Sequence, residues 1–189
     1  MGQLSLRELI LCALFVALVA VGALIRIPVG TDVFTLQFMF TLLAGLLLGP
    51  RLGATAVAVY ILLGLMGVPV FASGGGPGYI LQPTFGYLLG FVVQAWFCGW
   101  AARRGAVTFK GLLLINFGGM VIVYAFGLVW FYVISNYVID APVALYWVIL
   151  YCGILQIPPD ALLCVAAAAA AKRGLSAGIW LNPPRGTGR

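Results

Sequence analysis

Residues 52–102 have the sequence LGATAVAVYILLGLMGVPVFASGGGPGYILQPTFGYLLGFVVQAWFCGWAA, which is 51 residues long and contains no Asp, Glu, Lys or Arg. A membrane-spanning helix needs about 20 predominantly apolar residues. The stretch is therefore long enough for two crossings, which we place at about 52–67 and 84–102. The sequence Gly74-Gly75-Gly76-Pro77-Gly78 between them is typical of a turn and predicts a glycine-rich loop.

The rest of the chain has the same character. Its 189 residues are 64% hydrophobic and 7% charged, whereas a soluble domain carries about 25% charged residues. This composition excludes an ordinary soluble enzyme, a disordered chain and a nucleic-acid-binding domain. Charged and turn residues divide the apolar sequence into six predicted crossings, at about 9–25, 33–50, 52–67, 84–102, 111–134 and 143–171. We predict an all-α integral membrane protein, with one six-helix domain over residues 1–173 and a cytoplasmic C-terminal tail over residues 174–189.

The basic residues predict the orientation of these helices. With the N-terminus inside, nine Lys and Arg residues fall on one side of the membrane and Arg26 alone falls on the other. Cytoplasmic loops carry the excess of Lys and Arg in membrane proteins. Both termini are therefore predicted to be cytoplasmic, and the glycine-rich loop to lie on the outer side. The net charge of +6 reflects topology and does not indicate a nucleic-acid partner.

The sequence argues against catalysis. Histidine, the commonest general base and metal ligand, is absent. No GxxxxGK[ST] phosphate-binding motif is present, so ATP hydrolysis would need partner subunits. Within the predicted spans Asp160 is the single carboxylate, which rules out a carboxylate dyad. The four cysteines are separated and sit among apolar neighbours, which predicts reduced core residues: Cys12, Cys98, Cys152 and Cys164. We predict no enzyme activity, metal or cofactor.

Asp160 is the residue that most needs an explanation. It lies in Gln156-Ile157-Pro158-Pro159-Asp160, where two prolines predict an interrupted helix that restarts at Pro159 or Asp160. A carboxylate at the centre of a bilayer costs about 2.5–3.5 kcal/mol on insertion scales. Three interpretations remain open at this point: a hydrogen-bond acceptor for a ligand, a cap of its own helix in a ligand-free scaffold, or a proton relay. We favour the first.

Small residues form two further patterns. Glycines allow a close approach of the backbone to another group, so the loop over residues 71–79 is more consistent with a substrate lid or cavity wall than with a bare connector. Small residues also recur four positions apart in three helices, as Ala13 and Ala17, Gly45 and Gly49, and Gly86 and Gly90. Spacing alone favours packing between helices of this chain for all three pairs.

Five motifs together resemble the BioY family, the biotin-specific substrate-binding (S) components of energy-coupling factor transporters. In chain order they are TLQ at 35–37, LGPRLG at 48–53, GVPVFA at 67–72, PTFGYLLGF at 83–91 and PD at 159–160. The resemblance implies six membrane helices in an S-component-like bundle, and a biotin pocket near the outer face. It also implies an energy-coupling module of one T component and two ATPases. Ala13 and Ala17 would form the docking surface for the T component, and Asp160 would bind the ureido ring of biotin.

These features predict a high-affinity, biotin-binding subunit of a vitamin uptake transporter in the cell membrane. Asp160 would accept hydrogen bonds from the two ureido N–H groups, and Gln82 or Gln156 would donate to the ureido carbonyl. Aromatic packing on the biotin rings is expected from Phe71, Tyr87 and Tyr151. Arg26 or backbone amides of the glycine-rich loop would meet the biotin carboxylate.

Two alternatives to this prediction stay open. Leu163 replaces the lysine that the family often has three positions after the aspartate. An S component for another small vitamin-like acid, such as lipoate, is therefore the first alternative. The second is a proton-coupled carrier that works without the energy-coupling module.

Overall fold

The computed structural model describes residues 5–29, 32–104 and 107–181. Most of these residues are helical, which confirms the predicted class. A short antiparallel hairpin of β1 (Arg26–Val29) and β2 (Asp32–Thr35) is the exception to the all-α prediction. The helices of the described chain are α1 (Leu6–Leu24), α2 (Gln37–Leu48), α3 (Pro50–Leu65), α4 (Phe85–Arg104), α5 (Phe109–Tyr137), α6 (Leu145–Trp147) and α7 (Ile157–Ser176).

Local sequence explains where several helices begin. Ser5 and Glu8 form a capping box at the start of α1, in which each side chain accepts a hydrogen bond from the backbone N–H of the other. Thr108 caps α5 by accepting from the Gly111 N–H at 3.1 Å. Gly49 separates α2 from α3 with a φ of 96°, a conformation that favours glycine. Pro50 then starts α3, where its missing N–H costs no hydrogen bond.

Within the described residues, four helical segments are long and apolar enough to cross a membrane: Leu6–Leu24, Phe85–Arg104, Phe109–Tyr137 and Leu145–Ser176. They correspond to the predicted spans one, four, five and six. The predicted spans two and three correspond to α2 and α3, which have 12 and 16 residues. At 1.5 Å per residue these helices are about 18 and 24 Å long, shorter than a hydrocarbon core of about 30 Å.

The predicted interruption of the last helix is confirmed, but the predicted restart position was wrong. A π-helical turn over Val148–Gly153 and a 3-10 turn over Ile154–Gln156 separate α6 from α7. α7 begins at Ile157, before the predicted Pro159 or Asp160. Both prolines therefore lie in its first turn, where N–H groups have no partner within the helix and proline is tolerated.

Glycines bring the helices into close contact. A Cβ atom on Gly45 would lie 2.9 Å from the Ala95 Cα, and one on Gly90 would lie 2.9 Å from the Val123 Cα. A Cβ on Gly86 would lie 2.7 Å from the Phe126 carbonyl oxygen. Packing within the chain is confirmed for these glycines. Ala13 and Ala17 differ: both are exposed on α1, so internal packing was the wrong interpretation of their spacing.

The glycine-rich connection between α3 and α4 folds back onto the end of α3. The Gly76 N–H donates to the Gly64 carbonyl oxygen at 2.7 Å. Phe71 is only 2% exposed and lies 4.4 Å from the Tyr79 ring, centroid to centroid. Gly74 has a φ of 112°, which lets the chain reverse beside Phe71. This connection therefore packs against the helix bundle.

The residues after α7 also contact the bundle. The Leu181 N–H donates to the Leu47 carbonyl oxygen at 2.8 Å, and the Trp180 Nε1–H donates to the Ala171 carbonyl oxygen at 2.7 Å. Arg103 Nη2 donates to the Leu181 carbonyl oxygen at 2.6 Å. These contacts involve the first part of the predicted 174–189 tail, and residues 182–189 lie outside the described residues.

Candidate functional site

A cavity of about 310 Å³ lies where the glycine-rich connection meets the helix bundle. α2 contributes Gln37 and Phe38 from its first turn, and the connection contributes Tyr79. α5 contributes Tyr124 from its middle, and α7 contributes Asp160 from its first turn. The interrupted last helix and the folded-back loop therefore deliver polar groups to one cavity.

Asp160 is 5% exposed, so its carboxyl is removed from both lipid and bulk water. The Tyr124 hydroxyl donates a hydrogen bond to Asp160 Oδ2 at 2.7 Å. Gln156 occupies the N-cap position of α7. The interpretation of Asp160 as the cap of a ligand-free scaffold is therefore weakened, because this carboxyl faces a cavity and a tyrosine of another helix.

Four of the predicted site residues line the cavity together: Asp160, Gln82, Tyr87 and Gln156. The Tyr87 hydroxyl donates to the Cys152 carbonyl oxygen at 2.8 Å, in the π-helical turn. This bond fixes the ring of Tyr87 at the wall of the cavity. Gln156 is 8% exposed, whereas Gln82 is exposed. The glutamines thus offer one buried and one water-accessible amide.

The other predicted site residues lie behind or beside the cavity. Phe71 lies behind Tyr79, the residue that reaches the cavity itself. Tyr151 stacks on Trp147 at 5.0 Å and lines a neighbouring cavity of about 430 Å³. The Arg26 guanidinium donates to the carbonyl oxygen of Ala72, whose residue lines the first cavity. Arg26 therefore contacts the cavity wall through the backbone.

Sequence reasoning missed Tyr124 and Gln37 as cavity residues. Tyr124 lies in the long apolar sequence of α5, where nothing distinguishes it from an aromatic residue in contact with lipid. Gln37 carries a signal that could have identified it: it is an amide side chain at the start of an otherwise apolar helix. Such a group is costly to bury without a partner.

The charge of the cavity limits what it can bind. Among the described residues that line it, Asp160 is the only one with a formal charge. An ionised carboxylate accepts hydrogen bonds, and charge-assisted bonds to it are about twice as strong as neutral ones. The site therefore suits a small molecule that presents N–H donors at one end and apolar rings beside the aromatic wall.

Comparisons with known proteins agree with this chemistry. The model of the BioY family matches residues 1–178. The chain is 42% identical over 172 residues to the Probable biotin transporter BioY of Lysinibacillus sphaericus, and this match covers 90% of this chain and 88% of that protein. It is 43% identical over 136 residues to the Biotin transporter BioY of Thermotoga maritima, and this match covers 71% of this chain and 78% of that protein.

A solved structure has a similar fold. It is the crystal structure of the S-component for biotin from an ECF-type ABC transporter. The TM-score is 0.79 at 25% sequence identity, and the match covers 90% of this chain and 91% of that chain. The bundle and its connections therefore follow the architecture of a known substrate-binding component.

Proposed function

The chain belongs to the BioY family, and we propose that it is the membrane subunit that captures biotin for an energy-coupling factor transporter. The observation that carries this proposal is the position of Asp160, buried in a cavity and held by Tyr124. The prediction of a non-enzymatic protein is confirmed, because the similar proteins are named as transporters and the similar structure is a transporter component.

The chemistry of biotin fits this cavity. Biotin has two ureido N–H donors, one ureido carbonyl acceptor, a thioether ring and a carboxylate on an apolar chain. Asp160 accepts from the N–H groups, and Tyr87 packs on the rings. The cavity volume of about 310 Å³ is within the range of about 300–1,000 Å³ that is usual for small-molecule sites. A glutamine amide donates to the ureido carbonyl.

The apolar chain and carboxylate of biotin extend away from Asp160, because two negative charges repel. Arg26 and the loop backbone lie at the wall that includes Ala72, so they are the groups that meet the carboxylate. Phe71 supports the wall from behind through Tyr79, and Tyr151 flanks the site from the neighbouring cavity. These assignments complete the proposed substrate site.

Biotin fits better than the alternative acid considered from the sequence. Lipoate has a dithiolane ring and a carboxylate, and it offers no N–H donor to Asp160. A ligand without N–H donors that displaces water from Asp160 leaves this buried carboxylate with fewer hydrogen bonds, which is costly. Leu163, where the family often has lysine, does not line the cavity. The Asp160 position therefore favours a ureido ring over a dithiolane ring.

The membrane arrangement is the second part of the proposal. α2 and α3 complete six crossings as the two short members of the bundle, and both termini are cytoplasmic in the cell membrane. Transport needs a T component that docks on Ala13 and Ala17, and two ATPases. The exposure of both alanines on α1 supports this assignment. Uptake that depends on the proton gradient and needs no ATPase would identify the carrier alternative instead.

Asp160→Asn tests the proposed substrate. The substitution keeps the shape of the side chain but removes its charge and replaces one acceptor oxygen with a donor. We expect biotin to bind at least about tenfold more weakly to the purified variant in detergent, which corresponds to about 1.4 kcal/mol. Asp140→Asn is the matched control, because Asp140 is exposed in the turn after α5. If Asp160→Asn binds biotin with the wild-type affinity, Asp160 is not part of the substrate site.

A further inference from the structure

Gly127 lies within α5 and is buried. Residues three and four positions apart share one face of a helix, so Gly127 lies between Tyr124 and Phe131 on the same face of α5. Both of these aromatic residues line the first cavity, which contains Asp160. Glycine is a poor helix former. Its position between two cavity residues therefore calls for a structural reason.

The ring of Tyr87, from α4, occupies the space that a side chain at position 127 would need. A Cβ atom on Gly127 would overlap this ring and would lie 2.6 Å from Tyr87 Cζ. Carbon atoms that are not bonded to each other pack best at about 3.5–4.0 Å. The missing side chain of Gly127 is therefore a recess that lets the Tyr87 ring lie directly against α5.

Other contacts hold the Tyr87 ring in this recess. The Tyr87 hydroxyl donates to the Cys152 carbonyl oxygen at 2.8 Å, in the π-helical turn. The ring also packs against a buried cluster of Phe131, Val148 and Cys152. Tyr87 lines the first cavity, Cys152 lines the neighbouring cavity, and Phe131 lines both. The ring therefore lies at the boundary between the two cavities.

Resting on the proposed function, we infer that Gly127 is a positioning residue that acts through Tyr87 and sets the selectivity of the biotin site for the size of the ligand's ring system. A side chain at position 127 would push the Tyr87 ring away from α5. The cluster around Cys152 packs against the ring beside the neighbouring cavity, so the displaced ring would project into the first cavity. A smaller cavity disfavours a large ring system more than a small one.

The test compares biotin with desthiobiotin, which keeps the ureido ring and the carboxylate chain but lacks the sulfur and so has a single ring. Gly127→Ala should lower the ratio of biotin affinity to desthiobiotin affinity at least about fivefold, as measured on the purified protein in detergent. A role of Gly127 in helix packing alone would leave this ratio unchanged.

A second measurement uses Tyr87→Leu, which removes the ring and with it the overlap. Adding Gly127→Ala to Tyr87→Leu should change the ratio by less than about twofold, because residues in contact are coupled. If Gly127→Ala alone does not fold, the double variant should still fold and bind biotin as Tyr87→Leu does. Failure of the double variant to match Tyr87→Leu would overturn the inference.

Gly118→Ala is the matched control. Gly118 is also a glycine of α5 beside an aromatic ring of α4, because a Cβ atom there would lie 3.0 Å from Phe97 Cε1. Phe97 is not among the described residues that line either cavity. The ratio in this variant should stay within about twofold of the wild-type ratio.

The outcomes separate this inference from the proposed function. If Gly127→Ala keeps the wild-type ratio, or if Gly118→Ala lowers the ratio by as much, the inference is wrong and the proposed function stands. If the wild type binds no biotin, the proposed function itself is wrong.

Discussion

At the scale of single residues, Tyr124 sets the orientation of the Asp160 carboxyl. The two side chains belong to different helices, α5 and α7, and are joined by a hydrogen bond of 2.7 Å between the hydroxyl and Oδ2. A buried charge is tolerated when it is hydrogen-bonded. The bond also limits rotation of the carboxyl, so that its oxygens meet a ligand in one geometry. We therefore expect Tyr124 to act as a positioning residue in the proposed substrate site.

Tyr124→Phe removes this bond and keeps the ring. Hydrogen bonds to charged groups contribute about 1.5–3 kcal/mol, so we expect biotin to bind about tenfold or more weakly, as measured by calorimetry in detergent. Tyr146→Phe is the control, because Tyr146 is 62% exposed. A positioning role also predicts that Asp160→Asn and Tyr124→Phe together cost less than the sum of the two single effects. If the losses of biotin affinity in the two single variants add up in the double variant, Tyr124 does not act through Asp160.

Asp160 and Tyr124 show what single residues reveal in a sequence. A carboxylate inside an apolar segment is rare and costly, so Asp160 could be identified without a structure. A tyrosine or a glutamine is common enough in membrane helices that its role depends on which neighbour it meets. Tyr124 and Gln37 reach the cavity only because α2, α5 and α7 converge there. That convergence is a tertiary property, which local sequence does not encode.

At the scale of elements, the aromatic side chain of Phe71 packs the glycine-rich connection against α3. Phe71 lies against Gly64 of α3, where an added Cβ would overlap its ring, and it contacts the Tyr60 ring at 5.5 Å between centroids. Ala72 and Ser73, which follow Phe71, line the cavity. The position of Phe71 therefore determines where Ala72 and Ser73 lie in the cavity wall.

Gly64→Val should displace Phe71 and loosen this wall. Overpacking a buried contact costs about 1–3 kcal/mol, so we expect biotin to dissociate at least about fivefold faster, as measured by release of radiolabelled biotin. Gly78→Ala is the matched control in the same connection, because a Cβ atom there meets nothing within 4 Å. An unchanged dissociation rate in Gly64→Val would show that the wall does not retain the ligand.

Helix α1 presents the proposed docking surface. Ala13 and Ala17 are exposed, and Leu14 beside them is 49% exposed. Ala13→Trp should block close approach of the T component. We expect biotin binding in detergent to stay at the wild-type level, while ATP-dependent uptake with the module falls at least about tenfold. Val121→Trp is the control, because Val121 is 64% exposed on α5. If Ala13→Trp supports uptake at the wild-type level, as Val121→Trp is expected to do, the T component docks on another surface.

Helix lengths show the limit of prediction at this scale. Charge and turn residues correctly separated the apolar segments, because they interrupt them in the sequence. The same pattern did not reveal that α2 is only 12 residues long, nor that α7 begins at Ile157. The short length of α2 goes with its packing, because ten of its residues are buried. A helix surrounded by other helices has no polar face to mark its ends.

At the scale of the whole molecule, basic residues mark one end of the bundle. Arg7 at the start of α1 donates to the Gly178 carbonyl oxygen at 2.6 Å, and Arg103 at the end of α4 donates to the Leu181 carbonyl oxygen at 2.6 Å. The residues after α7 therefore join two helix ends that both carry arginine. Arg26 instead contacts the loop residue Ala72, in the part of the fold that contains the cavity.

This distribution predicts the sides of the membrane, because cytoplasmic ends carry the excess of Lys and Arg. Ser73 in the cavity wall and Ser176 at the end of α7 are both exposed and provide a matched pair. In intact cells, a membrane-impermeant maleimide should label Ser73→Cys, and bound biotin should protect it. Ser176→Cys should be labelled only after permeabilisation.

The native cysteines give little background, because Cys98, Cys152 and Cys164 are buried and Cys12 is partly buried. Labelling of Ser176→Cys alone in intact cells would reverse the orientation, and labelling of Ser73→Cys that biotin does not reduce would place the substrate elsewhere.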